Sequence, residues 1–228
     1  MLPVDPDALL EHADLLEVLE RARRLGFTGA APPEEHVAHA LRFLGALDAV
    51  GADPGVPAGS RSPAAGEAVG QVGVDLGSGA GLPGLVLALA LPRSTWVLVE
   101  AMERRAGPLV DAVNRLDLAG RVTVWRGRAE EFARSAGQRG SADLVTARGF
   151  ASPGATAECA APLLRLGGFL AVSEPPESDG SRWPPAGLAE FGLAPVGVRE
   201  GVMLCTAVET CPDTFPRRVG IPSKRPVF

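Results

Sequence analysis

Apolar residues recur near helical spacing over residues 5–25, where Leu9, Leu10, Ala13, Leu16, Leu19 and Leu25 share a face and Arg21, Arg23 and Arg24 gather at the C-terminal end. The pattern predicts one acidic amphipathic helix, stopped by Gly26. Pro32-Pro33-Glu34-Glu35 opens a second helix that turns Val37, Leu41, Leu44 and Leu47 inward before Gly51. Residues 1–50 therefore read as a helical extension. Residues 51–71 are rich in Gly, Pro, Ser and Ala with little to bury, as in a flexible linker.

From Val72 onward the periodicity alternates. Short apolar runs at Val72–Leu76, Thr95–Glu100, Val122–Trp125, Asp143–Ala147 and Phe169–Ser173 predict strands, and helical patterns separate them at Leu85–Leu91, Arg104–Leu116, Glu130–Ser135 and Pro153–Leu164. Strands joined by helices require right-handed crossovers, so the fold class is α/β with a doubly wound, mostly parallel sheet. Leu193–Val198 and Val202–Val208 are separated by only three residues, too few for a crossover, and predict a closing antiparallel hairpin. Trp96 and Trp125 alternate within strands and belong to the core.

Composition narrows the class. The chain has 228 residues, 46% hydrophobic and 21% charged, with a formal charge of -5, which excludes disorder and fibre. The longest apolar run, Leu82–Leu91, contains Pro83 and Gly84 and falls well short of the roughly 20 residues of a membrane span. The first residues carry acids where a secretory signal carries bases, so a cytoplasmic protein without membrane association is expected. Cys159, Cys205 and Cys211 are an odd number without Cys-x-x-Cys, which indicates reduced thiols. A single lysine, isoleucine and asparagine point to GC-rich coding, so arginine abundance by itself says little about nucleic acid.

The chemistry concentrates in Val74-Asp75-Leu76-Gly77-Ser78-Gly79-Ala80-Gly81-Leu82-Pro83-Gly84, where a strand ends in an acid and breaks into alternating glycines before a helix. Glycine lets backbone approach a ligand closely, and open parallel sheets bind ligands beyond the carboxyl ends of their strands. Gly79–Gly84 fits the dinucleotide pattern G-x-G-x-x-G, but begins three residues after the last apolar strand residue, late for a pyrophosphate turn. Asp75 would repel a pyrophosphate, yet can accept hydrogen bonds from an ammonium or a ribose. Glu100 closes the second strand 25 residues later, placed for ribose hydroxyls; an N-cap of the helix near Glu103 is its alternative role. After the third strand, Trp125-Arg126-Gly127-Arg128-Ala129-Glu130-Glu131 would flank an adenine or simply start a helix with acids.

Asp75-x-Gly77-x-Gly79-x-Gly81 resembles the first motif of class I S-adenosylmethionine-dependent methyltransferases. Four segments together resemble the GidB (RsmG) family: Asp75–Gly84, Gly127–Glu131, Thr146-Ala147-Arg148-Gly149-Phe150-Ala151, and Phe215-Pro216-Arg217-Arg218-Val219-Gly220-Ile221-Pro222-Ser223-Lys224-Arg225-Pro226. The resemblance runs from about Val72 to the end. It implies a Rossmann-like class I methyltransferase domain over 72–228 that places a methyl on N7 of a guanine in small-subunit (16S) ribosomal RNA. It also implies that Gly77, Leu82, Ala129, Glu130 and Arg148 hold the cofactor, with Arg148 near the reacting methyl as the catalytic residue. The family's Asn-Leu-Thr segment has no counterpart; His39 and Ala40 stand where Asp and Ser are usual, and Glu174-Pro175-Pro176 where Lys-Gly is usual. Two other functions follow from those departures: a methyltransferase for a small metabolite, and a ribosome-binding module without turnover.

Guanine N7 has an exposed lone pair, so no general base is required and positioning should dominate. The motifs of amino-methylating and cytosine-carbon-methylating enzymes are missing at Ala147-Arg148-Gly149-Phe150, and Phe150 is either core or a stacking platform for a base. Arg217, Arg218, Lys224 and Arg225 give +4 within 214–228 with no acid, a basic strip for RNA phosphates on a chain whose remainder totals -9. Pro216, Pro222 and Pro226 predict an extended segment laid against the domain. His36 and His39 share a helix face, but no third ligand lies near in sequence, so no metal is expected.

Overall fold

The computed structural model describes residues 6–51 and 71–228. Seven strands, β1 (Val72–Leu76), β2 (Thr95–Glu100), β3 (Val122–Arg126), β4 (Ala142–Ala147), β5 (Leu164–Ser173), β6 (Leu193–Arg199) and β7 (Val202–Ala207), form one sheet in the order β3-β2-β1-β4-β5-β7-β6. The first five are parallel; β7 runs antiparallel to both β5 and β6. This is the doubly wound α/β sheet with a closing hairpin. The order reverses between β1 and β4, and the crevice beyond their carboxyl ends is the ligand position of such sheets.

Nine helices occur among the described residues: α1 (Pro6–Leu9), α2 (Ala13–Arg24), α3 (Pro33–Asp48), α4 (Gly84–Ala90), α5 (Glu103–Arg115), α6 (Ala129–Arg134), α7 (Pro153–Ala160), α8 (Pro185–Ala189) and α9 (Ile221–Lys224). The single helix expected over 5–25 is two, because the chain leaves helical geometry at His12, whose Nδ1 accepts from Leu15 N at 3.3 Å as an N-cap. Strand β5 starts five residues before the expected Phe169, since its paired segment resumes after a register shift against β4. The tail is not wholly extended: Pro222 sits in the first turn of α9, where a missing N–H costs nothing. All but the two end residues of the expected linker lie outside the described residues.

Two apolar clusters flank the sheet. One combines α2, α3, α4 and α5 around Phe43, Leu47, Leu87 and Trp96; the other gathers Phe132, Leu163, Leu188 and Phe191 on the opposite face. The helical extension is thus part of the first core layer. Gly73 pairs with Trp96 in register, and a Cβ there would meet the indole at 2.6 Å, so glycine makes the space that buries this ring. Trp96 is core, whereas Trp125 is only partly buried beside Phe132.

Candidate functional site

A cavity of about 210 Å³ opens at the carboxyl edge of the sheet, lined among others by Gly77, Glu100, Met102, Glu130, Phe150 and Ser223. It runs from the end of β1, past β2, to the turn after β3. Gly77 has φ +68, and a Cβ on it would lie 2.7 Å from the Phe150 ring. Only glycine combines that backbone with that approach. Gly127, after β3, would similarly drive a Cβ into Trp125 at 2.4 Å.

Glu100 organises the middle of the cavity. Its Oε2 accepts from Gly79 N at 2.9 Å and its Oε1 from Met102 N at 2.7 Å, while Gly77 N and Ser78 N bond to the Val99 carbonyl. The carboxylate is 3% exposed, and Met102 rather than Glu100 occupies the N-cap position of α5. Each carboxylate oxygen has a second acceptor site, which leaves the pair able to receive two more donors from the cavity.

Of the residues expected to hold a cofactor, Gly77, Glu100, Ala129 and Glu130 line this cavity. Asp75 takes a different place. It is fully buried beneath the glycine turn, with Oδ1 accepting from Thr146 Oγ1 at 2.7 Å and Oδ2 from Gly84 N at 3.3 Å. Burial pushes its carboxyl up to about 6, against the pull of Thr146, Ser78, Gly84 and Arg148. Asp75 therefore braces the turn from behind. Gly79 shares that supporting role through Glu100; Gly81 (φ +90) packs on Leu85, and Leu82 is 6% exposed in the apolar core.

Arg148 lies outside the residues lining the cavity. It follows β4 and its Nη2 sits 3.0 Å from His36 Nδ1 on α3. A guanidinium can only donate, so Nδ1 accepts and the His36 proton resides on Nε2. Burial, then the neighbouring Arg148 cation, holds His36 below its ordinary value, and the same causes with Arg42 and His36 bring His39 down to about 4. Arg148 Nη1 and His39 Nδ1 are buried without a hydrogen-bond partner among the described residues. No group of three or more His, Cys, Asp or Glu side chains among the described residues could hold a metal ion, and no described helix is long and apolar enough to cross a membrane.

The tail cations divide by their surroundings. Arg217, expected on the phosphate-binding face, is instead spent on Glu158: backbone N, Nε and Nη2 all reach its carboxylate, at 2.8, 2.9 and 2.6 Å. Glu158 is fully buried on α7, so an interior acid has captured that cation. Arg218, Lys224 and Arg225 remain exposed. Met102, Arg105, Cys159 and Ser223 line the cavity without having been singled out for it. For Ser223 the signal was the tail motif; Met102, Arg105 and Cys159 belong to none of the segments that carry a motif.

Fold and cavity together define a class I methyltransferase-like α/β protein. Solved structures agree on the fold: cofactor-bound Rv0187 from MTB superposes with a TM-score of 0.58 at 18% identity, covering 92% of this chain and 99% of that one. A proposed O-methyltransferase from Klebsiella pneumoniae gives 0.56 at 16% identity over 92% and 93%. The family model described as rRNA small subunit methyltransferase G (GidB) matches residues 65–173. A relative named ribosomal RNA small subunit methyltransferase G, from Symbiobacterium thermophilum, is 31% identical over 99% of this chain and 91% of its own length. One of the same name from Salinispora tropica reaches 49% identity over 45% of this chain and 43% of its own. The chain belongs to the GidB family.

Proposed function

We propose that this chain transfers a methyl group from S-adenosylmethionine to N7 of a guanine in small-subunit ribosomal RNA, in the cytoplasm where ribosomes are made. The observation that carries this is the cavity lined by Gly77, Glu100, Ala129 and Glu130 in a member of the GidB family. These residues fit the cofactor. Glu100 keeps acceptor capacity for two ribose hydroxyls, the closeness of Phe150 to Gly77 marks a turn that admits no side chain, and Ala129 and Glu130 offer a small wall and an acid for the purine. When bound, the cofactor supplies an electrophilic methyl on a sulfonium.

The protein's own task is then placement. N7 of guanine attacks through a lone pair and loses no proton, so no residue has to act as a base. Asp75 is sealed under the turn, and both oxygens of Glu100 are engaged with backbone N–H groups, in keeping with a site that orients and does not deprotonate. Phe150, half-buried at the cavity wall, offers a ring face on which a base can stack. Arg148, fixed by His36, supplies a half-buried cation beside Asp75 and the glycine turn. Arg218, Lys224 and Arg225 offer phosphate contacts.

Calorimetric titration with S-adenosylhomocysteine tests the cofactor half: the parent chain binds, and Glu100→Ala weakens binding at least about tenfold, the loss of roughly 1.4 kcal/mol that one charge-assisted contact supplies. Mapping of N7-methylguanine in small-subunit RNA from cells with and without the protein tests the substrate half. An unchanged modification pattern would overturn the ribosomal assignment.

A further inference from the structure

We infer that the C-terminal tail builds part of the cofactor site: Ser223 is a ligand-contacting residue at the purine end, and Glu130 is a carboxylate shared between the tail and the bound purine. This rests on the cofactor assignment above, which already includes Glu130, and adds Ser223 to that site. Ser223 lines the cavity beside Ala129, Glu130 and Cys159, although it lies 93 residues from Glu130 in sequence (223 minus 130).

The wall is held in place from several directions. Gly220, at φ +78, donates its N–H to Glu130 Oε1 at 2.8 Å immediately before α9. Arg217 binds Glu158 on α7, the helix that also supplies Cys159 to the cavity, and its Nη2 reaches the Arg225 carbonyl at 2.7 Å, so one guanidinium ties the C-terminal end of α9 to α7. Arg139 donates to the carbonyls of Phe215 at 2.7 Å and Cys211 at 2.9 Å, and Arg134 donates to that of Pro216. At the terminus, Phe228 packs so closely that a Cβ on Gly187 would meet its ring at 2.2 Å.

The chemistry suits an adenine edge. Oε1 of Glu130 accepts from Gly220, so Oε2 and the second acceptor site of Oε1 are left for an exocyclic amine, and the Ser223 hydroxyl can both donate and accept. The tail thus has two faces. Ser223 meets the cavity and Gly220 bonds the cavity-lining Glu130, while Arg218, Lys224 and Arg225 stay in solvent.

The test is calorimetric binding of S-adenosylhomocysteine and of 5′-methylthioadenosine, which lacks the amino-acid end, to the full-length parent, Ser223→Trp and Ser223→Ala. Ser223 is exposed, so both variants should keep the parent's unliganded melting temperature. Ser223→Trp is expected to lose at least about tenfold in affinity for both ligands, and Ser223→Ala about threefold, a lost neutral hydrogen bond. Equal affinities for parent and Ser223→Trp would overturn the tail's role alone. No binding to the parent would instead overturn the cofactor assignment on which it rests.

Discussion

Thr146 donates a 2.7 Å hydrogen bond to Asp75 across neighbouring parallel strands, at a register pair wholly withdrawn from water. The bond joins β4 to β1 at the point where the sheet order reverses, directly beneath the glycine turn. Asp75 in turn receives Gly84 N, so one carboxylate ties together both strands and the helix that follows the turn.

Thr146→Val should therefore destabilise the protein in a pH-dependent way. The folded-state value of Asp75, about 6, lies above its ordinary 3.8, so the folded protein holds the extra proton between those values and stability falls as pH rises through that window. Thr146 opposes this by favouring the charged form. Its loss should cost about 1–3 kcal/mol, more at pH 8 than at pH 5, and carry the pH-dependent decline to higher pH. Urea unfolding at the two pH values measures it; an equal cost at both would show that Thr146 does not act on the charge of Asp75.

His39 should act in the opposite direction. Burial, Arg148, Arg42 and His36 lower it from 6.5 to about 4, so between those values the unfolded chain binds the proton that the folded chain refuses, and stability is lost as pH falls. His39→Gln should flatten the loss of stability between pH 6.5 and 4 relative to the parent. Superimposable pH–stability curves for the two proteins would remove His39 from the acid response.

Much of this was legible in sequence because period and chain connectivity are local. Val72–Leu76 and Thr95–Glu100 are strands at the expected boundaries, and the three residues between the apolar runs ending at Val198 and starting at Val202 permitted only a hairpin. The roles of Asp75 and Arg217 were not legible, since each depends on a partner distant in sequence: Thr146 lies 71 residues from Asp75, and Glu158 lies 59 from Arg217. An acid at a strand end and an arginine in a basic tail have the same sequence appearance whether they face ligand or core. Ser223 reached the cavity for the same reason, through a docking of the tail that no local pattern encodes.

Capture of Arg217 by Glu158 predicts an asymmetric pair of variants. Arg217→Ala leaves a fully buried carboxylate without its cation and should cost about 3 kcal/mol or more, which lowers the melting temperature by about 6–12 °C in a chain of this size. Adding Glu158→Gln to Arg217→Ala removes the stranded charge and should restore a substantial part of that loss. A double variant no more stable than Arg217→Ala would mean that the cost comes from lost packing of the tail and not from the charge.

The remaining tail cations should instead appear in the salt dependence of RNA binding. Arg218, Lys224 and Arg225 are exposed, and the positive charge of the tail is balanced by no acid within 214–228. Each phosphate contact releases condensed counterions and contributes about 0.7–0.9 to the slope of log affinity against log salt. Replacing all three with alanine should thus flatten that slope by about 2–3 for a small-subunit RNA fragment titrated between 50 and 200 mM salt, a range taken from the same dependence. Melting temperature and S-adenosylhomocysteine affinity should stay at parent values, because none of the three side chains supports the cavity wall, which Gly220, Arg217 and Ser223 maintain. An unchanged slope would show that RNA phosphates dock elsewhere, with the cavity-lining Arg105 and Arg128 the next cations to replace.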